Sequence, residues 1–362
     1  MSETVRVGII GCGGIANQKH MPALSRVKNA QMVAFFSIPR ESAEKARAEY
    51  GTPGAKVYET IDELLEDKSI DAVCVCTPNR THADISIRAM RAGKHVMCEK
   101  PMAFSSAEVD EMLRASRETG KKLTVGQQNR FRQDTWALKE RCRKNELGKI
   151  YYARAQAVRR RCVPCWGAML DRRMQGGGPL IDIGVHVLDL AMWMMDDYDV
   201  DFVSGNAFYE LGKRKNEPNM FGSWDPEKFT VEDSAAAMIH MKSGAAILLE
   251  ASWALNIPVE DEESKVLPGR ESHLTLCGTE AGAELWYDGY GMNGARNGEL
   301  YVDRYRFDFA PKYEGAIREA QTWIDAVAND EDMVVLPEQA GAVVKVIEAI
   351  YRSSERKAPV WI

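Results

Sequence analysis

The sequence has no long uninterrupted hydrophobic run and no surplus of basic residues. Its longest apolar region, 180–195, is broken by Asp182, His186 and Asp189, so no segment is predicted to span a membrane. The formal net charge of the 362 residues is −6 at pH 7, which disfavours a general nucleic-acid binder, because phosphate contacts need excess Lys and Arg. We therefore expect neither a membrane nor nucleic acid among the partners. A cytoplasmic protein is expected, since no basic and apolar leader precedes the first strand.

The sequence also lacks a paired motif of metal ligands. Its eight cysteines are scattered, and the one close pair, Cys162 and Cys165, has no second pair or histidines at the spacing of a zinc site. Cys74 and Cys76 lie in a strand-like run and Cys98 ends another, which is typical of reduced core thiols. We predict no bound metal and interpret Cys162 and Cys165 as structural or substrate-loop residues.

Strand and helix signals alternate through the first third of the chain. The predicted strands are 5–10, 31–37, 71–76, 95–98 and 122–125, and the predicted helices are 15–27, 41–50, 60–67, 80–92 and 105–119. This alternation predicts an α/β fold with a doubly wound parallel sheet over 1–126, the Rossmann arrangement. Cofactor and active site are expected at the carboxyl ends of its strands.

The pattern changes after about residue 126, which predicts a second, α+β domain over 127–362. Strand-like runs there follow one another without helices between them, which favours a large, open and mostly antiparallel sheet. The predicted strands are 150–161, 200–211, 229–241, 245–254, 271–277, 282–287 and 299–309, and the predicted helices are 133–146, 179–195, 315–329 and 338–355. Segments 212–228 and 256–270 are predicted to be loops.

The most informative motif is a glycine-rich turn directly after the first strand. Gly11, Gly13 and Ala16 have the spacing Gly-x-Gly-x-x-Ala between a strand and a helix. Gly11 permits a tight turn, Gly13 lets a pyrophosphate approach the backbone, and Ala16 lets the helix pack closely on the strand. The phosphates would lie at the positive end of that helix, beside Gly14 and Ile15. The motif predicts a dinucleotide site.

Two further clusters directly follow predicted strands. Residues 76–82 begin after the third strand and would lie over the nicotinamide half of the cofactor, or form a simple capped turn. Glu99, Lys100 and Pro101 follow the fourth strand. A lysine there can orient a substrate hydroxyl and lower its pKa, and Glu99 could accept hydrogen bonds from ribose; an exposed ion pair is the alternative. Pro101 makes the preceding peptide bond a candidate for the cis form.

The last cluster runs from three consecutive glycines, 176–178, to His186. On a helix, Asp182 and His186 are at i and i+4 and share a face. Histidine titrates nearest neutrality, so His186 is the natural proton acceptor in alcohol oxidation, with Asp182 fixing its tautomer or holding the substrate hydroxyl. A buried, satisfied His–Asp pair is the alternative. The glycines favour a close ligand approach or a hinge.

Together these motifs resemble the glucose–fructose oxidoreductase and inositol dehydrogenase (Gfo/Idh/MocA) family over nearly the whole chain. The resemblance implies NAD(P)-dependent hydride transfer at a secondary hydroxyl of a sugar, glycoside or cyclitol. It implies that Lys100, Asp182 and His186 are the catalytic residues. Besides the glycine turn, it implies that the cofactor contacts are Ser37, Arg40, Thr77, Pro78, Asn79, His82, Glu99, Lys100 and Gln128.

The resemblance also implies where substrate binds. The expected contacts are Lys100, Asn129, Arg160, Trp166, Asp182 and His186. The run from Arg159 to Trp166 is similar to a subset of bacterial sequences, some of which oxidise the C3 hydroxyl of glucosides. Guanidinium donors suit sugar hydroxyls, and an aromatic face suits the C–H groups of the ring. The open sheet implies self-association as a homodimer or homotetramer.

The cofactor is expected to be NAD or NADP. The family commonly has an acid after the second strand that binds the adenosine ribose, whereas Ser37 occupies that position here, with Arg40 three residues on. Both can donate to a 2′-phosphate, although Glu41 would be the acid if the alignment shifted. Two other functions stay open: an NAD-dependent glycosidase acting by transient oxidation and elimination, and a non-catalytic cofactor-binding protein.

Overall fold

The computed structural model describes residues 4–257, 270–286, 289–307 and 314–362. The chain divides into two compact units, of which the first comprises Met1–Phe131 with Ala310–Gly341 and the second comprises Arg132–Phe309 with Ala342–Ile362. Residues 310–341 therefore join the first unit, whereas the sequence pattern assigns them to the second domain. Most of the predicted loop at 256–270 lies outside the described residues.

The first unit contains a six-stranded parallel sheet. Its strands are β1 (Val5–Ile10), β2 (Ala30–Phe36), β3 (Lys56–Val57), β4 (Ala72–Val75), β5 (His95–Glu99) and β6 (Leu123–Gly126). They lie in the order β3-β2-β1-β4-β5-β6, and every neighbouring pair is parallel. The predicted doubly wound sheet is confirmed. Its order reverses between β1 and β4, the switch point where ligands of such sheets bind.

Helices connect these strands. They are α1 (Met21–Leu24), α2 (Arg40–Tyr50), α3 (Ile61–Glu66), α4 (His82–Arg91) and α5 (Ser106–Thr119), with a π-helical turn at Ala16–His20 leading into α1 and 3-10 turns at Asn79–Thr81 and Gln128–Phe131. The ends of α5 follow from its sequence. Ser105 Oγ accepts a hydrogen bond from the Glu108 N–H (3.3 Å), and Gly120, with φ of +64°, ends the helix in the left-handed region.

The second unit is built on a nine-stranded sheet. Its strands are β7 (Ile150–Val158), β8 (Val200–Phe208), β9 (Ser234–Met241), β10 (Ala246–Ser252), β11 (Arg270–Gly278), β12 (Ala281–Trp286), β13 (Gly289–Arg296), β14 (Glu299–Arg306) and β15 (Val360–Trp361). The order is β14-β13-β12-β11-β7-β10-β9-β8-β15. Only β7 and β10 pair in parallel among these described strands, so the predicted, mostly antiparallel sheet is confirmed. No strand is predicted where β13 lies.

The remaining helices are α6 (Gln133–Arg143), α7 (Arg172–Gln175), α8 (Val185–Met195), α9 (Glu314–Asn329) and α10 (Pro337–Arg356), with a π-helical turn at Leu180–Gly184 before α8. The helix α9 belongs to the first unit, where Trp323 and Ile324 enter its core. In the second unit, α8 is apolar nearly all round and packs on β7, β10 and β11. Among the described residues, Arg172–Met195 is the one stretch long and apolar enough to cross a membrane, and 83% of its apolar window is buried inside the protein.

Candidate active site

The glycine turn after β1 has two kinds of glycine. Gly11 has φ of +94°, and a Cβ there would lie 2.7 Å from the Cys76 carbonyl oxygen, so neither conformation nor space admits a side chain. A Cβ on Gly13 would meet no protein atom within 4 Å. The space in front of Gly13 is therefore open to a ligand, as a pyrophosphate bound at this turn requires. Gly14 and Ile15 open the helix, and Ala16 is fully buried beneath it.

The two residues expected near the adenosine ribose have different environments. Ser37 Oγ accepts a hydrogen bond from the Cys12 N–H (3.2 Å), so it braces the glycine turn. Arg40 opens α2 and pairs on the surface with Glu44 (Nε to Oε1, 2.9 Å) and with Glu59. These two carboxylates place negative charge around the guanidinium, which opposes a 2′-phosphate.

Glu99, at the end of β5, is the centre of a buried charge network. Its Oε1 accepts from Lys19 Nζ (2.8 Å) and His20 Nε2 (2.7 Å), and its Oε2 accepts from the Lys100 N–H (2.9 Å). Lys19 Nζ also contacts Glu319 Oε2 of α9 at 2.9 Å. Burial acts to raise the pKa of Glu99, but Lys19 and His20 outweigh it and hold that pKa well below its usual range. A carboxylate has about four acceptor positions, so three donors leave one for a ribose hydroxyl.

The loop after β4 is fastened to the loop after β5 by His82. Its Nδ1 lies 2.7 Å from the Pro101 carbonyl and its Nε2 lies 2.8 Å from the Thr77 carbonyl. Burial lowers the pKa of His82, so the neutral ring donates to one of these carbonyls at a time. The structure therefore gives His82 a bracing position. The Lys100–Pro101 peptide is cis, as the sequence allows.

Asp182 and His186 lie on one continuous helical segment of the second unit. Asp182 is in the π-helical turn and His186 is in the first turn of α8, 9% exposed. Asp182 Oδ2 accepts from the indole Nε1 of Trp253 (3.1 Å), a fully buried residue that follows β10. Gly184 lets this helix approach the sheet, because a Cβ there would lie 3.1 Å from Ala251 Cβ. The tryptophan fixes the Asp182 carboxylate on the face that carries His186.

The glycines before this helix are required by packing inside the second unit. A Cβ on Gly177 would lie 1.9 Å from the Tyr351 hydroxyl, and one on Gly178 would lie 2.2 Å from the Glu232 carbonyl oxygen. Glu232 is 1% exposed, and its carboxylate accepts from the N–H groups of Gly178 (2.8 Å) and Leu180 (3.1 Å) and from the Tyr351 hydroxyl (2.8 Å). Burial raises the pKa of Glu232. The glutamate satisfies the free N–H groups at the helix start.

Comparisons with known proteins decide the family. Residues 5–127 match the oxidoreductase family with an NAD-binding Rossmann fold, and residues 139–362 match the C-terminal alpha/beta domain of the same family. The chain belongs to the Gfo/Idh/MocA oxidoreductase family. The sequence-based recognition of this family, and of an enzyme that uses a nicotinamide cofactor, is confirmed.

Relatives of this family member extend over its whole length. It is 34% identical to a D-glucoside 3-dehydrogenase of Escherichia coli, over 98% of this chain and 96% of that protein. It is 25% identical to a myo-inositol 2-dehydrogenase of Thermotoga maritima, over 98% of each chain. The fold is shared with an aldose-aldose oxidoreductase from Caulobacter crescentus solved with glycerol, at a TM-score of 0.79 and 24% identity, covering 99% of this chain and 100% of that one.

The second unit of this Gfo/Idh/MocA protein contains a pocket of about 820 Å³ beside the run 159–166. Trp166, 56% exposed, lines it and stands edge-on to Phe221 with ring centroids 5.1 Å apart. The pocket combines aromatic and charged side chains, among them Trp224 and Arg172. Aromatic faces and charged donors are the groups that bind polyhydroxylated rings.

The other predicted substrate and cofactor contacts are less fully defined. Gln128 and Asn129 share a 3-10 turn after β6, and Gln128 Oε1 lies 3.4 Å from Lys19 Nζ. Arg160 lies two residues after β7, where its carbonyl accepts from the Leu255 N–H. Their ligand contacts stay predictions.

Cys162 and Cys165 are both free thiols. The Cys162 sulfur packs 3.8 Å from the sulfur of Met220, and the Cys165 sulfur lies 3.3 Å from Asn219 Nδ2. Both cysteines contact the loop at 219–222, and Cys165 also lines the pocket beside Trp166, so their role as structural or substrate-loop residues stays a prediction.

Sequence reasoning missed the residues that support the site. Lys19 and His20 face Glu99, Trp253 holds Asp182, and Glu232 caps the helix start. Each partner is far away in the sequence, so spacing gives no signal. The exception is Lys19-His20 itself, a pair of polar residues at positions where the first helix would otherwise be apolar.

Proposed function

We propose that this protein is an NAD-dependent dehydrogenase that oxidises the C3 hydroxyl of a D-glucoside. The full-length similarity to a D-glucoside 3-dehydrogenase carries this proposal, together with the helical segment that presents Asp182 and His186 on one face. The exposed indole of Trp166 is compatible with a glycoside, because an aromatic face packs on the C–H groups of a sugar ring.

The chain's own residues account for the proton in this reaction. NAD, when bound, accepts the hydride from the carbinol carbon. His186 takes the hydroxyl proton as general base, and Asp182, fixed by the Trp253 indole, orients the substrate hydroxyl or the imidazole. Lys100 supplies positive charge for the developing alkoxide. Gly13 leaves room for the pyrophosphate, and Glu99 retains one acceptor position for a ribose hydroxyl.

The same reasoning favours NAD over NADP. Arg40, one of the two expected donors to a 2′-phosphate, is already paired with Glu44 and Glu59. A 2′-phosphate would have to break these ion pairs or approach two carboxylates. We expect kcat/KM to be higher with NAD, and a preference for NADP would contradict this assignment.

A glucoside screen tests the reaction. The full-length protein is mixed with methyl glucosides, aryl glucosides, free sugars and cyclitols, each with NAD and with NADP, and reduced cofactor is followed by absorbance. NMR of the product should show a ketone at C3. Release of free sugar without net NADH would instead identify the glycosidase reaction, and failure of every polyol would leave a cofactor-binding protein.

We also propose that the protein is a cytoplasmic homodimer or homotetramer. Its eight free thiols suit a reducing compartment. Two large apolar side chains, Leu300 (91% exposed) and Val302 (70%), are neighbours on one face of the edge strand β14, and contiguous exposed apolar residues mark association surfaces. Analytical ultracentrifugation at micromolar concentration should show a dimer or tetramer, and a monomer would contradict the assembly.

A further inference from the structure

His20, Cys74 and Cys76 form a cluster of three potential metal ligands in the first unit. Cys74 is in β4 and Cys76 follows its end, and at i and i+2 both side chains project from the same face of the strand. Their sulfurs are 3.5 Å apart. A ring nitrogen of His20 completes a group whose three ligand atoms all lie within 4.8 Å of one another. All three residues are buried, at 7% exposure or less.

This spacing is close to that of a tetrahedral metal site. Zinc binds thiolate sulfur at about 2.3 Å and imidazole nitrogen at about 2.0–2.1 Å, which places two sulfurs about 3.8 Å apart. The two cysteines therefore need to separate by only a few tenths of an ångström. Two thiolates and one imidazole bind zinc in preference to calcium or magnesium, which take oxygen ligands.

The surroundings of His20 match the outer shell of a metal site. A histidine that ligates a metal donates its other ring N–H to a carboxylate in many proteins, which fixes the ring and increases its basicity. His20 Nε2 lies 2.7 Å from Glu99 Oε1, and Lys19 holds that same carboxylate in place. Nδ1 is then the nitrogen available to a metal.

We propose that His20, Cys74 and Cys76 form a binding site for one zinc-like divalent ion, with a water in the fourth position. The site is separate from the Asp182–His186 segment, and it does not rest on the proposed dehydrogenase activity. Two thiolates and a neutral imidazole cancel the charge of a divalent ion, so the loaded site carries no net charge, and binding requires that both cysteines and the His20 ring have lost their protons. The sequence spacing does not reveal this site. His20 ends the π-helical turn before α1, whereas Cys74 lies in β4 and Cys76 directly follows it.

Cobalt(II) is the probe that tests this site. The full-length protein is reduced, freed of metal and titrated with Co²⁺ without oxygen. We expect one equivalent per chain, with the strong near-ultraviolet absorption of a cobalt–thiolate bond, and displacement of that signal by Zn²⁺. Absence of a bound equivalent at micromolar wild-type protein would overturn the proposal and leave an ordinary pair of core thiols.

Variants show whether these residues hold the ion. Cys74→Ser and Cys76→Ser should each weaken binding by at least about 10-fold and remove part of the thiolate absorption. Glu99→Gln should weaken it by about 10–100-fold as an outer-shell change. Cys277→Ser, a thiol of the second unit, is the matched control and should bind as the wild type does. Equal binding by all four variants would assign the metal elsewhere.

Discussion

Two buried glutamates, one in each unit, have opposite electrostatics. Glu99 is 4% exposed and Glu232 is 1% exposed, and each carboxylate accepts three hydrogen bonds. Glu99 faces the cations Lys19 and His20, and its pKa is held well below the usual range. The donors to Glu232 among the described residues, two backbone N–H groups and the Tyr351 hydroxyl, are neutral, and burial raises its pKa. The charge of the partners, rather than the depth of burial, decides the direction in which the pKa of each of these buried carboxyls shifts.

The two glutamates also support different parts of the proposed reaction. Glu99 precedes Lys100 and joins the first helix, β5 and α9 through Lys19 and Glu319. Glu232 caps the helical segment that carries Asp182 and His186. In the proposed mechanism, an ionic network in the first unit supports the cofactor contacts, and a helix held by neutral hydrogen bonds in the second unit supports proton transfer.

Replacing His186 should give the largest effect. His186→Ala removes the proposed general base, and general acid–base help is worth about 10²–10⁴ in rate. We expect kcat to fall by that factor while the Kd for NAD, measured by protein fluorescence, stays within about two-fold. His240→Ala is the control in the same unit, because His240 stacks on Phe202 away from the helix. Near-normal turnover of His186→Ala would end its role as base.

The fold was largely predictable because local signals agree with tertiary structure. The apolar run Val5–Ile10 ends at Gly11, and β1 has those bounds. The sequence did not predict β13, because Gly289, Gly291 and Gly294 interrupt its apolar pattern. These glycines are needed by close strand packing: a Cβ on Gly289 would lie 2.2 Å from the Tyr305 carbonyl oxygen.

The sequence indicated the candidate chemical residues of the site, but not the residues that support them. Lys100, Asp182 and His186 stand in recognisable motifs, and these positions stay predictions until tested. The ion pair of Lys19 with Glu319 joins opposite ends of the chain, and it accompanies the placement of α9 in the first unit. The local sequence marks Lys19 as an unusual polar position, but it does not indicate a partner as distant in the chain as Glu319.

Removing the charge of Glu99 should cost more stability than the same change at Glu232. Glu99→Gln removes the carboxylate that Lys19 and His20 share, and breaking a buried ion pair costs about 3–5 kcal/mol. Glu232→Gln keeps a carbonyl acceptor for neutral donors, and we expect a loss of about 1–2 kcal/mol. Urea unfolding of both variants beside the wild type measures the difference. Equal losses would contradict the comparison.

The smallest and most specific expected effect is the pH dependence of the stability lost in Glu99→Gln and in Glu232→Gln. The folded pKa of Glu99 is depressed, so its contribution to the free energy of unfolding is complete above its unfolded pKa of about 4.3 and declines as pH falls. The folded pKa of Glu232 is raised, so the folded state binds its proton more strongly and wild-type stability declines as pH rises from about 4.3.

The stability difference between wild type and Glu99→Gln should therefore grow with pH, whereas the difference for Glu232→Gln should shrink. Urea unfolding across about pH 3 to 7 gives both slopes, with the Glu99 change expected below about pH 5 and the Glu232 change above about pH 4.3. The titration of groups that contact neither glutamate cancels, because each variant is compared with the wild type at the same pH. Slopes of the same sign would show that burial, and not the charge of the partners, governs both carboxyls. Opposite slopes would show that Lys19 and His20, which both contact the Glu99 carboxylate, lower its pKa.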